Sequence, residues 1–496
     1  VVDVTAQVSL GRNAGKPLRL VTKILDAAGR EIAASNQIVA PLTALTMPYE
    51  TRLIVPKPHL WNGRQDPYLY RAIVELRSAT GVVDAVEQPL GVRYYRVDPN
   101  LGFFLNGKHY PIYGVCRHQD RQDKGWAISE ADMEADIELI KEIGATAVRC
   151  AHYQHRDYFY SLCDRAGILV WAEIPQVNAV HATPEFETTS RNQLLDLIRQ
   201  NINHPSIFAW SLFNEIAGGG KWSTDDPHRI LQNLNHAAHG EDPTRPTIAA
   251  TCVEFFPQME KIPDLLGWNN YPGWYGGPNY TIPGQPSGYD SLKTFGASLD
   301  RRRYQSRSGG FCIAEYGAGA NPRQHEENPN PPVAAGQWHP EEWQDIVHES
   351  DWAAIKSHPF IWGSFVWNMF DFCVSTRHEG GSVARNDKGL VTFDHQLRKD
   401  AFYFYKANWS PDPTLYIASR RFTERTNALT GVKVYSNLPK ATLRVNGTEL
   451  GARTSNGNGV ILWQNVRLSS GENKIEVAGK RQGQTFQDSC VWTLTR

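Results

Sequence analysis

Residues 207–215 read Ile207-Phe208-Ala209-Trp210-Ser211-Leu212-Phe213-Asn214-Glu215. The run is apolar except for one serine, and it ends abruptly in an amide and an acid. Strict alternation would mark a strand with one wet face. A continuous run marks a strand buried on both faces, as a parallel sheet requires. The same design recurs at 110–115, 146–150, 168–174, 247–252, 265–271, 311–316 and 360–367, which makes eight runs.

The segments between them read as helices. Ser129 and Asp132 form a capping box, Met133, Ile137 and Ile140 share a face, and Gly144 closes the helix. Leu194, Ile198 and Ile202 repeat the spacing up to Pro205. Pro340 fits the first turn of another helix, with Trp343, Val347 and Ala354 on one side. The fourth and fifth crossovers are less regular, and the sixth (272–309) is long and rich in Gly and Pro. Eight βα units within 96–410 predict a (β/α)₈ TIM barrel. A doubly wound sheet is the alternative, but no Gly-rich phosphate loop follows the first strand.

Outward from the barrel the period changes to two. Val4, Ala6, Val8 and Leu10 alternate with polar residues, as do Tyr70, Ala72, Val74 and Leu76. Asp26-Ala27-Ala28-Gly29 punctuates them. Beyond Trp409-Ser410-Pro411, Leu443 and Val445 run into the hairpin signal Asn446-Gly447, and Ile475, Val477, Cys490, Trp492 and Leu494 add strands. The expected order is an immunoglobulin-like β-sandwich over 1–95, the barrel over 96–410, and a second such sandwich over 411–496.

Composition narrows the function. The chain has 496 residues, with 51 basic and 52 acidic side chains and a net charge of -1, so a broadly basic nucleic-acid footprint is excluded. No apolar run reaches the roughly 18–20 residues that span a bilayer. The 15 Trp and 20 Tyr suit stacking on sugar rings, although a large β-rich core also consumes aromatics. The seven cysteines include no C-x-x-C pair and are expected to be mostly buried thiols. The compartment stays open, with a periplasmic or secreted setting favoured. The chain starts Val1-Val2-Asp3 without Met or signal peptide, which suggests a processed or truncated chain.

Barrel active sites sit at the C-terminal ends of the strands, so the polar residues closing each run are the candidates. The fourth run ends in Glu215, and the seventh closes with Glu315-Tyr316. A single Glu at a strand end also fits a solvated rim residue. Two, on strands that face each other across the barrel mouth, are what glycosidic hydrolysis needs. His118, Asp120, Arg149, His152, Tyr271, Trp274 and Trp367 close or follow other runs and would form a polar cup with aromatic walls. Arg149 beside a carboxylate would keep it ionised. A catalytic metal is disfavoured by the lack of His-Glu-x-x-His and of an EF-hand loop, and a serine hydrolase by the lack of Gly-x-Ser-x-Gly.

Longer motifs carry a resemblance. They are Gly114-Val115-Cys116-Arg117-His118, Ala147-Val148-Arg149-Cys150-Ala151-His152-Tyr153, and His204-Pro205-Ser206-Ile207 running to Asn214-Glu215. Ala314-Glu315-Tyr316-Gly317, Trp362-Gly363 through Trp367-Asn368-Met369-Phe370-Asp371-Phe372, and Asn386-Asp387-Lys388-Gly389-Leu390 continue the series, with Leu60-Trp61 and Pro67-Tyr68-Leu69-Tyr70 in the first flank. Together they resemble glycoside hydrolase family 2, the family of β-galactosidases, β-glucuronidases and β-mannosidases. The resemblance implies a retaining double displacement, with Glu215 as acid/base, Glu315 as nucleophile and the carboxyls about 5–5.5 Å apart. By the same resemblance, Asn214 would bond the hydroxyl beside the reacting carbon. Tyr271 and Arg149 would hold Glu315, and His118, Asp120, His152 and Trp367 would shape the sugar subsite.

Two departures from the family stand out. Most members carry an N-terminal jelly roll, whereas this chain opens in the sandwich. The expectation is either a truncated form or a site without part of its usual wall, and a non-catalytic carbohydrate-binding remnant stays open, as does a homo-oligomer. The Glu–His pair that binds magnesium after strand three in some β-galactosidases is missing from 172–178, so no metal and no cofactor is expected. The sugar is ambiguous. Asn386-x-Lys388 resembles the pair with which β-glucuronidases hold the uronic carboxylate, although Lys388 could instead pair with a neighbouring acid. The same stretch, with the motif of the eighth run and 339–343, resembles a group of β-galactosidases. The expectation is a β-galactosidase, with β-glucuronidase as the alternative; either acts on a β-linked sugar.

Overall fold

The computed structural model describes residues 1–9, 17–39, 46–181, 183–216, 227–252, 257–275, 288–305 and 310–495. Leu10 and much of the sixth crossover lie outside them. Eight parallel strands close into a barrel: β1 (Tyr113–Arg117), β2 (Ala147–Cys150), β3 (Leu169–Glu173), β4 (Ile207–Asn214), β5 (Thr247–Thr251), β6 (Leu265–Asn269), β7 (Phe311–Tyr316) and β8 (Ser364–Val366). β8 closes on β1 with Gly114 opposite Phe365. Every residue of β2 through β8 is buried, as continuous apolar runs dictate. Inside, Trp171 and Phe365 meet edge to face at 5.5 Å. Small residues such as Cys116, Ala209, Ala250 and Ala314 pack in the same core and make room for them.

Two runs overshoot their strands. Tyr110 bonds back to Phe103 in the hairpin beneath the barrel, and Phe360 and Trp362 precede β8 as buried residues. The barrel floor draws on the same apolar side chains as the strands, so hydrophobicity alone does not separate them.

The helix Glu130–Glu142 begins in the expected capping box at Ser129. The helix Glu341–Lys356 departs from its reading. Pro340 is its N-cap, with ψ 136°, and lies outside the first turn. Its buried stripe runs Trp343, Val347, Asp351, Ile355, and Ala354 is only half-buried. Burial alone pushes the Asp351 carboxyl well above its ordinary value.

The N-terminal region pairs Val2–Ser9 with Thr46–Leu53 against a four-stranded sheet of Glu31–Val39, Leu18–Leu25, Tyr70–Ser78 and Gly81–Leu90. Val4, Ala6 and Val8 are more buried than their neighbours. From Ile73 to Ser78 both faces are half-buried, because Lys23, Glu75 and Arg77 pair across the outer face. The C-terminal region has a three-stranded and a five-stranded sheet. Asn446 and Gly447 turn its hairpin with φ 51° and 80°, both in the left-handed region that type I′ requires.

Both flanks are bonded to the barrel. Arg421 pairs with Glu341 and Asp400. Trp61 Nε1 donates to the Asp164 carbonyl at 2.9 Å. Gly167 caps the helix Asp157–Ala166 at φ 71°, where an added Cβ would lie 2.1 Å from the Gly63 carbonyl oxygen. Gly167→Ala should therefore lower stability by about 2–4 kcal/mol, through left-handed strain and a backbone clash that no rotamer relieves. Denaturant midpoints of the two proteins check this; an unchanged midpoint contradicts it.

Candidate active site

The C-terminal strand ends bring a buried polar network together. Arg149, on β2, has no exposed surface. Its Nη1 donates to Glu315 Oε1 at 2.7 Å, its Nε to Glu173 Oε1 at 2.7 Å and its Nη2 to Asn214 Oδ1 at 2.8 Å. Asn269 Nδ2, at the end of β6, donates to Asn214 Oδ1 at 3.2 Å and to Glu215 Oε1 at 2.8 Å. An unbroken chain of hydrogen bonds thus runs from Glu315 through Arg149, Asn214 and Asn269 to Glu215. Tyr271 donates its hydroxyl to Glu315 Oε2 at 2.6 Å. Glu215 sits just past β4 at φ 51°, a conformation uncommon for a residue with a side chain.

The electrostatics separate the groups. Burial, and then the charge on Glu315, push Glu215 above the ordinary carboxyl value. Burial also works against Arg149, but Glu173 and Glu315 outweigh it and hold the guanidinium well above its ordinary value. Burial raises Glu173 as well, yet Arg149 and His152 bring it below the usual range. Burial first, and then Glu315, keep the Tyr271 proton on its oxygen.

Aromatic rings form one wall. His152 stacks on Trp367 at 5.1 Å, and its Nδ1 lies 2.8 Å from Glu173 Oε2. His118 meets Trp367 edge-on at 5.3 Å and stacks on Phe372 at 4.2 Å. Burial, then the neighbouring His152, drive the His118 pKa well down, so it stands neutral at pH 7. Asp120 is buried and accepts from the Cys373 amide at 2.8 Å, and burial raises its pKa.

A second group stands beside Glu315. The Tyr271 and Tyr275 rings meet at 5.0 Å, and Lys388 Nζ lies 5.0 Å from the Tyr275 ring and 5.1 Å from the Trp274 ring. Lys388 has no exposed surface and reaches Glu379 Oε2 at 3.4 Å. Burial lowers its pKa, but Tyr275 and Glu379 outweigh that and raise it. Asn386 is also buried, and its Oδ1 accepts from the Lys388 amide at 3.2 Å. Trp274 is 2% exposed and backs Lys388, packed with Leu292, Trp343 and Val347, so it is not part of an open wall. Lys399 fixes the loop by donating to the carbonyls of Ala320 (2.7 Å) and Asp387 (2.8 Å) and to Asp371 Oδ1 (2.8 Å).

All twelve residues singled out in the sequence lie at or beside this network. Glu173 and Glu379 were not among them, whereas Asn269 and Tyr275 belong to the polar and aromatic end of the sixth run that the sequence marks. Glu173 and Asn269 each end a buried strand, the position rule that selected Glu315. Glu379 lies in an irregular segment, where no period marks it. Among the described residues, no three His, Cys, Asp or Glu side chains converge as a metal set would.

Comparison with known proteins agrees with this architecture. The profile for glycosyl hydrolases family 2, TIM barrel domain, matches residues 99–411, a second family 2 profile matches 1–93, and a domain of unknown function matches 427–487. A β-glucuronidase of Bacteroides fragilis is 42% identical over 433 residues, covering 86% of this chain and 60% of its own. A crystal structure of a Bacteroides fragilis protein provisionally named β-galactosidase superposes with TM-score 0.88 at 36% identity, over 99% of this chain and 71% of that one. Bacteroides uniformis β-glucuronidase 2, covalently bound to cyclophellitol-6-carboxylate aziridine, superposes with TM-score 0.87 at 29% identity, over 99% and 59%. The chain spans about 60% of the length of the curated relatives it matches first. Through its barrel and its first sandwich, the chain belongs to glycoside hydrolase family 2.

Proposed function

We propose that the chain cleaves terminal β-glucuronides with retention of configuration. The observation that carries the choice of sugar is the fully buried Lys388 ammonium beside the Glu315 network. A buried cation of this kind is a costly group that an incoming carboxylate would complement. The 42% identity to a β-glucuronidase supports the same choice over the β-galactosidase expected from the motifs. The β-galactosidase stays as second reading, because Glu379 already gives Lys388 a partner.

In the first step Glu315 attacks the anomeric carbon, the glycosidic C–O bond breaks, and Glu215 gives its proton to the departing oxygen. In the second step Glu215 takes a proton from water, whose oxygen attacks the same carbon and releases Glu315. Asn214 has its amide oxygen occupied by Arg149 and Asn269, so its N–H₂ faces the substrate hydroxyl beside the reacting carbon. His118, Asp120, His152 and Trp367 shape the sugar subsite. Asn386 and Lys388 hold the uronic carboxylate.

The acid must carry its proton to act, so the rate falls as pH rises through the Glu215 pKa. Burial and Glu315 raise that pKa, so the alkaline limb of kcat/KM should lie above the ordinary Glu value of about 4.3. Glu215→Gln should lose this limb on a 2,4-dinitrophenyl glycoside, whose leaving group needs no proton. A limb that persists in the variant contradicts the assignment.

Labelling tests the substrate class. A cyclophellitol aziridine with a 6-carboxylate should add its mass to the peptide carrying Glu315. Equal labelling by the neutral galacto-configured aziridine would contradict the glucuronide reading.

A further inference from the structure

We propose that Arg377 is a specificity-determining residue for uronic acids: by engaging Glu379 it leaves the Lys388 site one positive charge in excess. The proposal rests on the glucuronidase reading above. A Lys388–Glu379 pair alone is neutral and offers an incoming carboxylate no net attraction. A third charge changes this. Arg377 Nη1 donates to Glu379 Oε1 at 2.7 Å, whereas Lys388 Nζ reaches the other oxygen only at 3.4 Å. The shorter, better bond to Glu379 belongs to the arginine, and the lysine is its more distant partner, held also by Tyr275. Two cations and one carboxylate sum to one positive charge, which a single uronate neutralises. Asp387, in the same loop, feels Lys388 as well, but its own partner is His339 Nδ1 at 2.7 Å, and Lys399 adds a further positive charge beside it.

The array is fixed relative to the nucleophile. Arg377 Nη1 also donates to the Tyr275 hydroxyl at 3.2 Å, and Tyr275 packs on Tyr271, which holds Glu315. The turn bearing Glu379 is tied down on several sides. The Gly380 carbonyl accepts from Asn321 Nδ2 at 2.7 Å, its amide donates to the Gly336 carbonyl at 3.0 Å, and Gln337 Nε2 donates to the His378 carbonyl at 2.6 Å. Gly380 itself is at φ 57°, and a Cβ there would lie 2.2 Å from Asp387 Oδ2, so the turn packs directly on the Asn386–Lys388 loop. Glu379 is 2% exposed and Lys388 0%, so neither charge tolerates isolation. Glu379 keeps Lys388 charged before substrate arrives, and Arg377 keeps Glu379 from cancelling it.

The test measures kcat and KM for wild type, Arg377→Gln, Arg377→Lys and Lys388→Ala on p-nitrophenyl β-glucuronide and p-nitrophenyl β-glucoside. These substrates differ only in carboxylate against hydroxymethyl. The Arg377 side chain is 40% exposed, so its replacement opens no core cavity. Arg377→Gln should lower the glucuronide-to-glucoside ratio of kcat/KM by about five- to tenfold, mainly through a higher glucuronide KM, because a partly exposed charge is screened but still felt at the pair. Arg377→Lys should restore most of the ratio. If both substrates lose equally, or neither loses, the proposal is overturned. If Lys388→Ala collapses the ratio while Arg377→Gln does not, the proposal fails and the glucuronidase reading stands. If wild type shows no preference for the glucuronide, both fail.

Discussion

Glu315→Gln should reduce kcat on the order of 10⁴-fold or more, with the fold intact, because an amide cannot attack the anomeric carbon. The substitution keeps size and shape, and the amide oxygen can still accept from Arg149, so the loss reads chemistry and not packing. Glu315→Gly sharpens the test. It opens space on the face of the sugar opposite the leaving group, where azide can attack in place of the carboxylate. Azide should then restore turnover and yield a glycosyl azide of inverted configuration, visible by NMR. Turnover like that of the wild type in Glu315→Gln would end the mechanism. Inversion by the wild type would end the double displacement.

The second large effect concerns selectivity. Lys388→Ala should lower kcat/KM on a β-glucuronide on the order of 10²–10³-fold, since removing one partner of a buried charge pair costs about 3–4 kcal/mol. Part of that loss is the Glu379 carboxylate, left with Arg377 alone. A neutral β-glycoside should suffer far less. Equal losses on charged and neutral substrates would make Lys388 a support of the loop, like Lys399, and would return the choice of sugar to β-galactosides.

Much of this architecture is written in the period of the sequence. A buried parallel strand must be apolar throughout, so all eight barrel strands are visible as runs, and the residue closing each run marks the rim. Glu215, Glu315 and Arg149 follow from that rule. It fails where apolar residues have two uses, as at Tyr110 and Trp362, which floor the barrel and read as strand. It fails also where a charge is buried. The four-residue spacing puts Asp351 on the face of Trp343 and Val347, but an isolated acid is rarely interior, so its residue type hides its place in the stripe between Val347 and Ile355.

The selectivity site was the least legible part. Lys388 is marked by its motif, but its partners are not. Glu379 sits in a short turn, Arg377 two residues before it, and Tyr275 follows β6 in an irregular stretch. Only tertiary packing brings them together, and neither spacing nor amphipathicity encodes that meeting. Trp274 illustrates the same limit: its aromatic character suggested a sugar platform, while the fold uses it as a buried wall behind an ammonium group.

In the proposed function, a buried cation beside a pair of carboxylates selects β-glucuronides. Initial rates on p-nitrophenyl β-glucuronide, galacturonide, galactoside, glucoside and mannoside test it most directly. The glucuronide rate should dominate, and the neutral sugars should trail. A dominant galactoside rate would contradict it, and would make Asn386 and Lys388 structural elements of the loop.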